Sequence, residues 1–81
     1  MPEQVLDVRG LLCPMPIVKT KKAIDQLDAG QTLRILATDP GAVADFHAWT
    51  RRTGHKLLES EQVGKEFHFL VEKVVSTAKE G

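Results

Sequence analysis

The sequence predicts an α/β two-layer sandwich in which two helices cover one face of a four-stranded mixed sheet. Three observations lead there. Stretches of alternating and of helical periodicity follow one another in the order βαβαββ. Both helical stretches have a proline just inside the start and a glycine just past the end. The last two alternating stretches are joined by a turn near Val63-Gly64, as in a hairpin.

The first strand is "QVLDV", which places Leu6 and Val8 on one face. From Pro14 to Ala29 the spacing turns helical: Ile17, Ile24 and Leu27 share a face, Val18 and Ala23 lie at its margins, and Gly30 follows as a stop. "QTLRILAT" is the second strand, with Leu33 and Ile35 on one side. The second helix runs from about Pro40 to Thr53, with Val43, Phe46 and Trp49 on its apolar face and Gly54 as its end. "HKLLESEQ" and "KEFHFLVEKVV" complete the sheet, with Phe67, Phe69 and Val71 alternating toward the core. Residues 1–75 are expected to form one domain and residues 76–81 a loose tail.

A strand–helix–strand unit makes its strands parallel through a right-handed crossover. Cys13 and Asp39, each at the start of a helix, should therefore lie along the same sheet edge, where open α/β sheets place their ligands. The opposite sheet face would present Arg34, Leu36, Leu58, His68, Leu70 and Glu72, which read as scattered surface apolarity or, as the sharper alternative, a contact patch for a partner or second copy.

Composition narrows the function. With 81 residues, 42% of them apolar, the chain can build one modest core. Eleven basic and eleven acidic residues cancel, which removes the overall attraction of a dedicated nucleic-acid binder. The acidic, polar start "MPEQVLD" does not read as a targeting peptide. No apolar run approaches the roughly 20 residues that cross a bilayer. A single cysteine cannot close an internal disulfide, so a reducing cytoplasm is the expected setting.

That cysteine sits in "GLLCPMPIVK", directly before two prolines. Cys13 reads as the N-cap and Pro14 as the first helical residue, a place where the helix dipole favours a thiolate. The competing reading is a buried cysteine acting as a small hydrophobe. Lys19, Lys21 and Lys22 lie in the first half of this helix, against its dipole. They read either as an ordinary solvated face or, with Arg9, as a positive collar that supports the thiolate and docks an acidic partner. Asp39 reads as the N-cap of the second helix, within reach of a docked partner. His47, His55 and His68 lack metal-ligand spacing, so no metal or cofactor is expected. No second cysteine can resolve a sulfenic acid or form a redox pair, and a thiolate without an evident base, oxyanion hole or deep pocket suits receiving and passing on a group such as sulfane sulfur.

The run "LDVRGLLCPMP" resembles the TusA, or SirA-like, sulfur-carrier family, whose signature is Cys-Pro-x-Pro at the start of the first helix. The leading "LD..G", which contains Gly10, and the later "TDP" strengthen the resemblance. It implies the fold of the carboxyl-terminal domain of translation initiation factor three and a cysteine that holds a persulfide. By position, Cys13 matches that cysteine, Pro14 and Pro16 the motif prolines, Asp39 the acidic residue before the second helix, and Lys21 and Lys22 the basic stretch. The implied donor is a cysteine desulfurase or rhodanese, and the implied acceptor a DsrE-type or other thiol protein. The pathways implied are thiolation of tRNA wobble uridine, sulfur oxidation and molybdenum cofactor assembly. Many relatives carry Arg where this chain has Leu12, and a second cysteine where it has Thr50.

A monomer without direct nucleic-acid or membrane contact is expected. Two rival readings differ in class. One is a regulatory or RNA-binding module of the same fold, whose salt-sensitive binding would survive loss of Cys13. The other is a thiol enzyme in which His47 or His55 hydrogen-bonds the sulfur.

Overall fold

The computed structural model describes residues 4–74, and the tail expected at 76–81 lies outside them. Six elements follow in the predicted order: β1 (Gln4–Asp7), α1 (Met15–Asp25), β2 (Thr32–Ala37), α2 (Gly41–Thr53), β3 (Lys56–Val63) and β4 (Glu66–Glu72). The sheet order is β1-β2-β4-β3. β1 and β2 are parallel, while β4 runs antiparallel to both β2 and β3, so the sheet is mixed as expected. No helix among the described residues is long and apolar enough to cross a membrane.

The core forms where the alternating strands and the helical stripes meet. Val8, Leu33, Ile35, Ala37, Phe69 and Val71 from the sheet pack against Ile24, Leu27, Ala42, Phe46 and Trp49 from the helical layer. Register explains the strand contribution: Leu33 lies opposite Val71 and Ile35 opposite Phe69, so the apolar positions of both strands fall on one face. The Phe46 ring stacks on Phe69 with centroids 4.6 Å apart and meets Trp49 edge-on at 6.2 Å. Arg34, Leu36, His68, Leu70 and Glu72 take the other face, all partly buried. Arg34–Glu59 and His68–Glu66 pairs interleave the two leucines there, which fits scattered apolarity. Leu58 is the extra residue at an irregularity in β3.

The second helix matches its expected span within one residue and ends at Gly54, whose N–H bonds to Thr50 O at 2.9 Å. The first helix is shorter than expected. It stops at Asp25 because the chain tightens: Gln26 N–H bonds to Ala23 O and Leu27 N–H to Ile24 O. Lys73 Nζ then donates to the carbonyls of Leu27 at 2.5 Å and Asp25 at 3.3 Å, satisfying acceptors that a longer helix would have used. Leu27 remains buried beyond the helix, which is why its spacing looked helical. Gly30 is not the helix stop. It is the third residue of a turn from Asp28 to Gln31, with φ 90°.

Candidate functional site

The loop between β1 and α1 is held in place from β2. After Val8 continues the sheet through Val8 N–H to Leu36 O, 2.8 Å, the chain turns so that Leu11 N–H reaches Val8 O. Gly10 is the third residue of this turn with φ 84°, a backbone conformation that residues with a Cβ rarely adopt. Its N–H donates to Thr38 Oγ1 at 2.8 Å. Cys13 N–H donates to Asp39 Oδ2 at 2.8 Å, and the other oxygen of Asp39 accepts from Gly41 N–H at 3.0 Å. One carboxylate therefore ties the cysteine turn to the start of α2. The expected meeting of Cys13 and Asp39 at one sheet edge is a direct contact.

Cys13 is exposed and opens onto a pocket of about 240 Å³ lined by Pro14, Ile17, Asp45, Ala48, Trp49 and Arg52. The α2 residues are spaced at i, i+3, i+4 and i+7, which puts them on one helical stripe. The Cys13 Sγ–H donates to an Asp45 carboxylate oxygen. Sequence reasoning missed Asp45, because a carboxylate in mid-helix has no mark of its own. The one available signal was that it shares a stripe with Trp49 and Arg52.

The expected thiolate is not what this geometry favours. The hydrogen bond to Asp45 pushes the Cys13 thiol pKa up, aided by partial desolvation and by the negative charges of Asp45 and Asp39. The helix dipole gives the sulfur little support either. The helix begins at Met15 with Pro14 as its cap, so Cys13 lies outside the first turn, and the Met15 N–H donates to Leu12 O rather than to sulfur. Ultraviolet titration of the thiolate should therefore give a midpoint above that of free cysteine, with alkylation accelerating only as pH rises toward it. A midpoint at or below the free value would contradict the placement of Asp45.

The expected collar is dispersed. Lys19, Lys21 and Lys22 are exposed on α1 and none lines the pocket, and Lys21 pairs with Asp25 at 3.3 Å. Arg9 is engaged on the sheet side. It contacts both oxygens of Asp7, at 2.9 and 2.8 Å, and Glu66 at 3.1 Å, and this pairing holds the Asp7 carboxyl down to about 2. Among the described residues that line the pocket, the basic side chain is Arg52 of α2. Among the described residues the hydrogen bond of the sulfur goes to Asp45 and not to His47 or His55: His47 is exposed and His55 Nδ1 accepts the Val74 N–H at 3.1 Å. Burial and the nearby Lys73 charge lower the His55 pKa. His68 lies 2.9 Å from Glu66.

A family model described as sulfurtransferase TusA matches residues 4–73, which takes in every element and the cysteine turn. The chain belongs to the TusA family. It is 48% identical over 71 residues to the sulfur carrier protein TusA of Allochromatium vinosum, covering 88% of this chain and 93% of that one. A SirA-like protein from Desulfitobacterium hafniense has the same fold, with a TM-score of 0.75 over 88% of this chain and 97% of that one, at 20% identity. The expected TusA, SirA-like resemblance thus holds over residues 4–73.

Proposed function

We propose that this TusA-family chain carries sulfane sulfur as a persulfide on Cys13. The observation that carries the reading is the exposed sulfur in a turn braced by Thr38 and Asp39 at the mouth of an open pocket. The 48% identity to a protein named as a sulfur carrier supports it. In the loading step Cys13–SH reacts with a donor persulfide, R–S–SH, to give Cys13–S–SH and R–SH. The pocket leaves room beyond Sγ for the added atom, and Arg52 offers a positive charge to its anionic form. Pro14 and Pro16 fix the turn, and Pro16 is itself buried.

The donor in this reading is a cysteine desulfurase or rhodanese-type protein, and the acceptor a DsrE-type or other thiol protein. Leu12, Met15 and Val18, exposed by 73%, 42% and 40%, lie close to Cys13 in the chain, on the cysteine turn and the start of α1, and offer apolar surface suited to such a partner. Lys19, Lys21, Lys22 and Arg9 are proposed as outer contacts that steer it, while Asp39 contributes by bracing the turn. The pathway is one of tRNA thiolation, sulfur oxidation or cofactor sulfuration, in the cytoplasm. Incubation with a desulfurase and cysteine, followed by intact mass, should show one added sulfur that a reductant removes. Nucleic-acid binding without any sulfur uptake would favour the regulatory reading instead.

A further inference from the structure

We propose that Asp45 is the proton acceptor for Cys13 in sulfur transfer: it takes the thiol proton as Sγ attacks and returns it to the thiolate that departs. The inference rests on the carrier reading above and deepens it. Three features of the site support it. Asp45 already holds the hydrogen bond from the reacting atom. Asp39, the other carboxylate near the sulfur, has an oxygen committed to each of two backbone N–H groups, Cys13 and Gly41. Asp45 is partly buried and shares the pocket lining with the apolar Ile17, Ala48 and Trp49, which limits competition from water for the proton.

The chemistry needs such a group because acidic neighbours keep the resting thiol protonated. As Sγ attacks the sulfane sulfur of R–S–SH, its proton moves to Asp45. The donor's S–S bond breaks, a new S–S bond forms to Sγ, and the proton passes to the sulfur of R. The products are Cys13–S–SH and R–SH. No net oxidation or reduction occurs, and atoms and charge balance. The loaded Sγ has no hydrogen left to donate, so Asp45 is then available to accept the proton of an incoming acceptor thiol. The same carboxylate serves loading and delivery.

The test compares two reactions of one sulfur, in the wild-type chain, Asp45→Asn and Asp45→Glu. Glutathione persulfide is the sulfur donor, and iodoacetamide is the control electrophile, whose iodide leaves without a proton. Asp45→Asn should slow loading by about tenfold or more at neutral pH, and by clearly more than alkylation, which needs no proton returned to its leaving group. Asp45→Glu should recover much of the loading rate. The alkylation arm also reports that the substituted protein still presents its cysteine. If loading and alkylation changed by the same factor, Asp45 would only set thiol acidity and the proposal would be overturned. Unchanged rates in both arms would overturn it too. A wild-type chain that alkylates yet accepts no sulfur would instead defeat the carrier reading itself.

Discussion

Replacing Cys13 by serine is expected to abolish sulfur acceptance while leaving the melting temperature unchanged. The sulfur is exposed and contributes nothing to the core, so the fold has little to lose. Serine keeps the backbone N–H that Asp39 accepts and supplies a hydroxyl that can still donate to Asp45. What disappears is the chemistry. A hydroxyl is far less acidic and less nucleophilic than a thiol, and methionine thioethers cannot form a persulfide. With one cysteine in the chain, no other side chain takes over. Intact mass after exposure to a persulfide donor reads the outcome, and an added sulfur on the serine variant would remove Cys13 from the account.

The largest expected effect on stability comes from Phe46→Ala. The Phe46 ring is wholly buried, stacks on Phe69 and meets Trp49. Removing it loses the transfer free energy of the ring and leaves a cavity between the helices and the sheet, at a cost of about 3–5 kcal/mol. Domains of this size have only about 5–15 kcal/mol to lose, so much of the folded population is at stake. A urea titration should show a strongly lowered midpoint with little change in slope. Trp49, which forms part of the pocket wall, would lose its neighbour, so the environment of the sulfur should loosen as well. A cost under about 1 kcal/mol would mean that the ring does not sit where the core places it.

How far the sequence could be read differs between elements for physical reasons. α2 was legible almost to the residue, because proline, an apolar stripe and glycine mark its start, its face and its end. The strands were legible because the alternation of Leu33 and Ile35, and of Phe69 and Val71, matches the pleat. The end of α1 was not. Leu27 stays in phase and buried after the helix has tightened into a turn, and Lys73, distant in sequence, is what caps the carbonyls there.

The site divides in the same way. Cys13 and its prolines announce themselves locally, and the edge rule for α/β sheets brought Asp39 beside them. The acidity of the thiol was not legible in the same way, because the dipole and charges of one helix do not include the carboxylates that the fold brings to the sulfur. Asp45 reaches the sulfur only through the packing of α2 beside the cysteine turn, and none of Lys19, Lys21 and Lys22 lines the pocket. Local charge patterns show what a helix contains, whereas the protonation state of a side chain depends on what the fold brings within a few ångströms.

The central claim is that Cys13 holds a sulfur atom and gives it up again, and one measurement tests both halves. The chain is loaded with a persulfide donor, separated from it, and mixed with a protein thiol acceptor while both intact masses are followed. The account predicts that one sulfur leaves this chain and appears on the acceptor, with Cys13 returning to the free thiol. A chain that never gains the atom, or keeps it in the presence of every thiol offered, would contradict it.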